Sequence, residues 1–590
     1  MPRLRLTLLL ATLALAAPVW AQSTINIPAK GPDGRLQWTS VIEGKETPAP
    51  AIDMGDDETI LRLLDEGKNR NQVMQHLRHL THEIGPRLTG SRRLATANEW
   101  CRDQYTAWGL TNAHIEEWGT VATQFNRGPS TGKLLLKVER RRRDADSDAP
   151  KVEYETLREF EFSTMAWTKG TDSPLRGPVI REPATEEEYE AIKDTLPGAW
   201  VLLRPPSSTA RQGIRRGPRG WLEMAVNTRD KVAEGTSIDE LPVSQKIIFS
   251  GAAGFITTSR DERVWTSSVP RWRERKPADV LPDLHVMIRG SDYDALNSRL
   301  ADGEPVEVEF NLQHELIEGP IPCANTIAEI RGTEWPDEVV IISAHLDSWD
   351  GPGSQGCLDN GTGSAVTLEA ARILMAANAK PKRTIRFINW TGEEQGLLGS
   401  RAYVKMHKDS LDKISAVFVD DGGTNTQGGL PAASNMVEML AAATAPTNNQ
   451  FYSETDGRYL NVNIRDTGRR IGSHGSSDHA SFNAVGVPGF FWDEIGRSEY
   501  TFGWHTQNDK FEQAIEEYLV QSSTNSAITA YRLACAPTLL PRELPAEKKD
   551  EPKASDEGSA KPAADDAPAA APGPTDPAPT GMNDNGPSIR

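Results

Sequence analysis

Between Ala324 and Cys535 the hydrophobic pattern changes period repeatedly, and this alternation constrains the fold more than any other feature. Apolar, β-branched runs at 339–343, 384–390, 414–420 and 487–492 read as strands, while 363–379, 395–407 and 516–534 carry helical spacing. Strands separated by helices cannot pair as hairpins. They join through crossovers and form a largely parallel sheet covered on both faces. The expected fold class is therefore α/β, a mostly parallel mixed sheet flanked by helices. Ligands of such sheets gather beyond the carboxyl ends of the strands, so the polar residues just after each predicted strand carry the most weight.

The remainder of the chain sorts around this block. Residues 57–109 show helical periodicity, broken by the turn IGPRLTGSRR. From about 125 to 318, short alternating runs such as KLLLKVERR and VEVEFNL lie among Pro, Gly and charged residues, the mark of an inserted β-rich module. The expected organisation is an extended segment at 22–56, a main domain at 57–124 and 319–540, and an insert at 125–318. The start, MPRLRLTLLLATLALAAPVWAQS, combines Arg3 and Arg5 with an apolar stretch and a small-residue cleavage pattern ending at Ala21. It reads as a signal peptide at 1–21, so an exported protein, periplasmic or secreted, is expected. The apolar run is too short for a stable span, and no cysteine near Ala21 offers a lipid attachment, so no membrane anchor is expected. Residues 541–590 are mostly Ala, Pro, Lys, Asp, Glu and Gly, and too poor in apolar groups to offset the entropy of ordering; a disordered tail is expected.

A net charge of −18 argues against a nucleic-acid partner, which needs a basic face. The one basic run, Arg140 to Arg143, is followed at once by Asp144, Asp146 and Asp148 and reads as a solvated loop. Four cysteines, Cys101, Cys323, Cys357 and Cys535, allow three pairings and are too few for a disulfide scaffold. The GPSTG segment around Ser130 lacks the strand, turn and helix that a nucleophile elbow requires.

Chemistry concentrates at the strand ends. After the first predicted strand stands His345, with Asp347 two residues on, placed to orient an imidazole. Asp359 opens a glycine-rich turn before a helix. Glu393 and Glu394 follow the next strand, Asp420 and Asp421 the one after, and His505 lies beyond the last. Singly, each reads as a capping or turn residue. Together they fall at one end of successive strands of one sheet. Two imidazoles and three carboxylates exceed what one tetrahedral zinc takes, and suit two divalent ions about 3.5 to 4 Å apart with one carboxylate shared. Zinc fits the mixed nitrogen and oxygen donors; manganese and cobalt suit similar ligands.

At these motifs the chain resembles a known family. SAHLDSWD, LDNGTGSA, PKRTIRFINWTGEEQGLLGSRAYV, SHGSSDHASFNAVGVPG and WHTQND are similar to the two-zinc exopeptidases that include bacterial leucine-type aminopeptidases and glutamate carboxypeptidases. Within that family the likeness is greatest to the plasma glutamate carboxypeptidase (carboxypeptidase Q) branch. It runs from about residue 57 to 535, dense after 339 and faint in the insert, which looks like a protease-associated domain. The resemblance implies a zinc exopeptidase fold, with His345 and Asp421 on one zinc, Glu394 and His505 on the other, and Asp359 bridging. Asp421 matches the family spacing to Gly423 and Thr424; Asp420 is the alternative. The resemblance also makes Asp347 the partner of His345 and Glu393 the general base, and implies a cis peptide after Asp359. One departure stands out: where many relatives have a tyrosine that stabilises the oxyanion, this chain has His474, an imidazole able to donate the same hydrogen bond. The implied activity is hydrolysis of small peptides, of carboxypeptidase or dipeptidase type, with an aminopeptidase as the alternative. A homodimer is compatible with the resemblance. A metal-free binding protein on the same fold is disfavoured by the full ligand set, and a phosphoesterase by the lack of a basic phosphate-binding loop.

Overall fold

The computed structural model describes residues 24–542 apart from 33, 141–150, 206–217, 469 and 472–475. The expected signal peptide, the end of the basic run, His474 and the tail from residue 543 onward lie outside the described residues.

Helix α1 (Asp57–Asn69) starts where Asp56 accepts the Thr59 N–H at 2.7 Å, and it buries Ile60, Leu63 and Leu64, a stripe at helical spacing. Helix α2 (Arg92–Ala107) starts at the Ser91 cap, just past the IGPRLTGSRR turn. Two long strands, β1 (Thr111–Arg140) and β2 (Val306–Ile330), then pair antiparallel from Thr111 opposite Glu329 to Leu136 opposite Val306. This ribbon runs across both expected borders of the insert. It is followed by β3 (Trp335–His345), helix α3 (Gly361–Ala376), β4 (Arg383–Trp390), helix α4 (Leu398–Met406), β5 (Ile414–Val419), β6 (Gly489–Phe491) and helix α5 (Glu516–Cys535).

The core sheet has the order β6, β5, β3, β4, β2, β1. Its first four strands are parallel, and β2 returns antiparallel to β4. Strand β5 and most of β3 and β4 are buried on both faces, as the near-continuous apolar runs require. Helices α3 and α5 are buried over most of their lengths and supply much of the core, with Leu368, Leu374, Ile528 and Leu533 packed on Val340, Phe387 and Phe418. The α/β, mostly parallel mixed sheet flanked by helices is thus the observed architecture.

The segment between β1 and β2 supplies short parallel strands, Leu175–Arg181, Trp200–Leu202, Gly254–Thr258 and His285–Ile288, which join the sheet where Leu175–Arg181 pairs with the start of β2. The described helices Glu186–Ile192, Pro218–Ala233, Val243–Lys246 and Gly290–Ala301 lie among them. Trp200, Val286, Phe310 and Leu312 give this segment a core of its own. A further sheet of five short strands takes Thr39–Ile42 and Lys45–Pro48 from the N-terminal segment and pairs Thr39–Ile42 with Asn463–Asp466. The four cysteines are buried and unpaired. No helix among the described residues is long and apolar enough to cross a membrane.

Candidate metal centre

Because β3, β4 and β5 are parallel, their carboxyl ends meet at one edge of the sheet, and each delivers polar side chains there. His345 is the last residue of β3. It donates its Nδ1–H to the main-chain carbonyl of Asp347 at 2.9 Å, which leaves Nε2 facing the centre. That atom lies 3.0 Å from Asp421 Oδ1 and 3.3 Å from Asp359 Oδ1. On the other side, His505 Nε2 lies 2.9 Å from Glu394 Oε2 and 3.3 Å from Asp359 Oδ2. Two trios therefore form, His345–Asp359–Asp421 and Asp359–Glu394–His505, each compact enough to hold one cation, and Asp359 belongs to both. Glu393 stands beside them, its carboxylate 4.0 Å from His345 Nε2.

Asp347 does not orient His345 mainly through its carboxylate, which is 3.6 Å from Nδ1; its carbonyl makes the closer contact. The carboxylate instead accepts the backbone N–H groups of Glu393 and Glu394 at 3.3 and 3.4 Å and the Thr89 hydroxyl at 2.9 Å. It thereby ties the turn after β4 to the end of β3. Of the adjacent aspartates, Asp421 faces His345, whereas Asp420 turns away to accept the Gln427 amide at 2.6 Å. The Asp359–Asn360 peptide is cis. Asn360 caps α3, accepting the Gly363 N–H at 3.0 Å, and donates to the Asp420 carbonyl at 2.7 Å. A Cβ on Gly363 would lie 2.1 Å from that same carbonyl, so only glycine lets α3 meet the end of β5 this closely.

Three supporting residues escaped the sequence reading. Asp509, at the end of WHTQND, accepts the N–H groups of Cys357 and Leu358 at 2.9 and 2.5 Å and so fixes the approach to Asp359. Arg87, buried in the IGPRLTGSRR turn, donates to the carbonyls of Leu346 and Gly356, both at 2.7 Å, and spans the loop between His345 and Asp359. Gln507 holds the loop that carries His505. The quoted motifs contain all three residues, but nothing in local spacing tells a loop brace from an ordinary turn residue. Ser130 lies within β1, away from any strand-to-helix turn.

The electrostatics are unbalanced. Burial, and then the neighbouring Asp359 charge, push the Glu394 carboxyl up to about 8. Burial, joined by Asp421 and other carboxylates, holds Glu393 well above the usual range, and burial also raises Asp421. Asp359 is the exception: burial would raise it, but the two imidazoles hold it below the ordinary value. Burial would lower His505, yet Glu394 and Asp359 push it up to about 10. Among the described residues no lysine or arginine lies within ion-pairing distance of Asp359, Glu393, Glu394 or Asp421. Glu394 Oε1 is buried without a hydrogen-bond partner. Carboxylates so gathered can stay ionised together only with cations beside them, and the nitrogen and oxygen donors fit a pair of divalent ions.

Comparison with known proteins agrees with this geometry. Residues 325–530 match peptidase family M28. Carboxypeptidase Q of Homo sapiens is 31% identical over 495 residues, covering 82% of this chain and 90% of that one. The aminopeptidase YwaD of Bacillus subtilis (strain 168) is 28% identical over 238 residues, covering 38% of this chain and 48% of that one. The crystal structure of the peptidase M28 precursor from Shewanella amazonensis SB2B shares the fold, with a TM-score of 0.53 at 22% identity, over 83% of this chain and 98% of that one. A relative this similar over nearly its whole length, with the family's match lying across the strand ends that bring the two trios together, places the protein: it belongs to peptidase family M28.

Proposed function

We propose that this peptidase is an exported dizinc exopeptidase acting on small peptides, of carboxypeptidase or dipeptidase type. The observation that carries the reading is the division of Asp359, whose two oxygens face His345 and His505 at the same 3.3 Å. One ion would be held by His345 and Asp421, the other by Glu394 and His505, with Asp359 shared. When bound, zinc supplies Lewis acidity toward a peptide carbonyl and lowers the pKa of a nearby water. Glu393 belongs to neither trio and is the base: its carboxylate takes the proton of the attacking water and returns it to the departing amine. Asp347 keeps Glu393 and Glu394 in register with His345 through their N–H groups. His474 is assigned as a donor to the developing oxyanion, on the resemblance alone.

The likeness to carboxypeptidase Q supports the carboxypeptidase or dipeptidase reading; the likeness to a bacterial aminopeptidase supports the alternative of cleavage from a free amino end. Export rests on the first 21 residues of the sequence. The proposed organisation keeps 57–124 with 319–540 as the peptidase domain, 125–318 as a protease-associated-like insert, 22–56 as an extended lead-in and 541–590 as a tail; a homodimer is part of the same proposal. Metal analysis tests the centre: about two zinc ions per chain are expected, with activity lost on chelation. Glu393→Ala should keep both ions and lose about 10² to 10⁴ in rate; near-normal turnover would overturn its role. Rates on dipeptides blocked at one end or the other decide the specificity.

A further inference from the structure

The two halves of the metal centre are not held by the same part of the molecule. His345 sits within β3 and is fixed by the core sheet, with Ser364 of α3 donating its hydroxyl to the His345 carbonyl at 2.8 Å. His505 lies in a loop, and its backbone has φ +58°, a left-handed conformation uncommon outside glycine and kept only where the surroundings impose it.

Those surroundings come from the segment between β1 and β2. The Thr266 N–H donates to the His505 carbonyl at 3.2 Å, and Trp265 forms an isolated antiparallel bridge with Thr506. Gln507 reaches into the same strap: its Oε1 accepts the Val264 N–H at 2.8 Å and its Nε2 donates to the Glu262 carbonyl at 2.8 Å. The strap is anchored behind, where the Thr266 hydroxyl donates to the Thr164 carbonyl at 2.8 Å and the Ser163 hydroxyl to that of Trp265 at 2.5 Å. Trp504 and Trp349 flank the imidazole, with ring centroids at 3.9 and 5.8 Å. Removing the strap would free both the carbonyl and the amide that keep His505 turned toward Glu394.

We infer that the strap Glu262–Thr266 makes the inserted segment a structural part of the metal centre, with Gln507 as the positioning residue that sets the affinity of the ion on the His505 side alone. The inference rests on the dizinc reading. Its consequence is that the two ions are inequivalent: both share Asp359, but only the ion on the His505 side has a ligand held by the insert.

The test is a zinc titration of the metal-stripped full chain against a competing chelating dye. His505→Ala and His345→Ala identify which step belongs to which side. Gln507→Leu removes both hydrogen bonds to the strap, and should weaken the step that His505→Ala abolishes by about 10- to 100-fold while leaving the other unmoved. Gln507→Met, which keeps the length of the side chain but neither hydrogen bond, should weaken the same step as Gln507→Leu does, and the thermal midpoint and circular dichroism report whether each variant is folded. A wild-type chain that takes up no second ion overturns the dizinc reading and this inference with it. Two normal steps that neither Gln507 variant shifts, or two steps that each variant weakens by the same factor, overturn the inference alone.

Discussion

Glu369 on α3 and Glu394 after β4 are both buried carboxylates of the core domain, yet their settings differ in one respect. Glu369 accepts Arg372 Nε and Nη2 at 2.8 and 2.7 Å, the ring of His76 at 2.9 Å and the Gln72 N–H at 2.9 Å. Arg372 also reaches Glu66 at 2.7 Å, which pairs in turn with Arg70. This network closes on itself, and burial is offset within the chain: His76 and Arg372 hold Glu369 below its ordinary range against the pull of burial. Around Glu394 the counter-charges among the described residues are imidazoles shared with other carboxylates, and the group is pushed up instead. The network around Glu369 balances its own charge, whereas the carboxylates around Glu394 converge on two imidazoles in a geometry that a cation could fill.

The difference should break in opposite directions. Glu369→Gln leaves Arg372 without its main partner and should destabilise the fold by about 3 to 5 kcal/mol in denaturant unfolding, with zinc content unchanged. Glu394→Gln should do the reverse. Burial raises its carboxyl in the metal-free protein, so an amide of the same shape should alter stability by less than about 1 kcal/mol, while zinc binding on the His505 side is lost. Equal losses of stability would erase the distinction.

The smallest effect is a slope. Glu394 has a folded value of about 8 against an ordinary 4.5, so between those values the folded metal-free protein keeps a proton that the unfolded chain has released. Stability from this group is therefore present below pH 4.5 and falls as pH rises to about 8, by at most about 1.4 kcal/mol per pH unit. Glu369 is lowered, so its contribution is present above 4.5 and disappears as pH falls through its folded value. Thermal midpoints of the chelator-treated protein across this range should show a downward trend, to which the raised Glu393 and Asp421 also contribute, that Glu394→Gln makes shallower and Glu369→Gln does not. An unchanged trend in Glu394→Gln would remove Glu394 as its source.

Much of this was legible in the sequence, for identifiable reasons. The parallel sheet announced itself because strands buried on both faces must be apolar throughout, and the site followed because such strands expose their polar residues only where they end. His345, Asp359, Glu393, Glu394, Asp421 and His505 were all found this way and do meet. The choice of Asp421 over Asp420, which came from resemblance, matches the direction in which each side chain points. Less legible was whatever depends on partners distant in sequence. Lys45–Pro48 is polar and exposed and gives no strand signal of its own; it forms by pairing with Thr39–Ile42. The helices between β1 and β2 were hidden among short alternating runs. Arg87, Asp509 and Gln507 act on loops up to several hundred residues away, which no local period records.

The pairing of α1 with α5 has a consequence in time. Tyr531 of α5 donates its hydroxyl to Asp56, the cap of α1, at 2.9 Å, joining residues 475 positions apart. A chain made from its N-terminus cannot close this contact, or bring His505 to Asp359, until nearly all of the folded region has emerged. Of the residues that meet at the centre, only His505 is then still missing, and the trio it completes with Asp359 and Glu394 is the last to form.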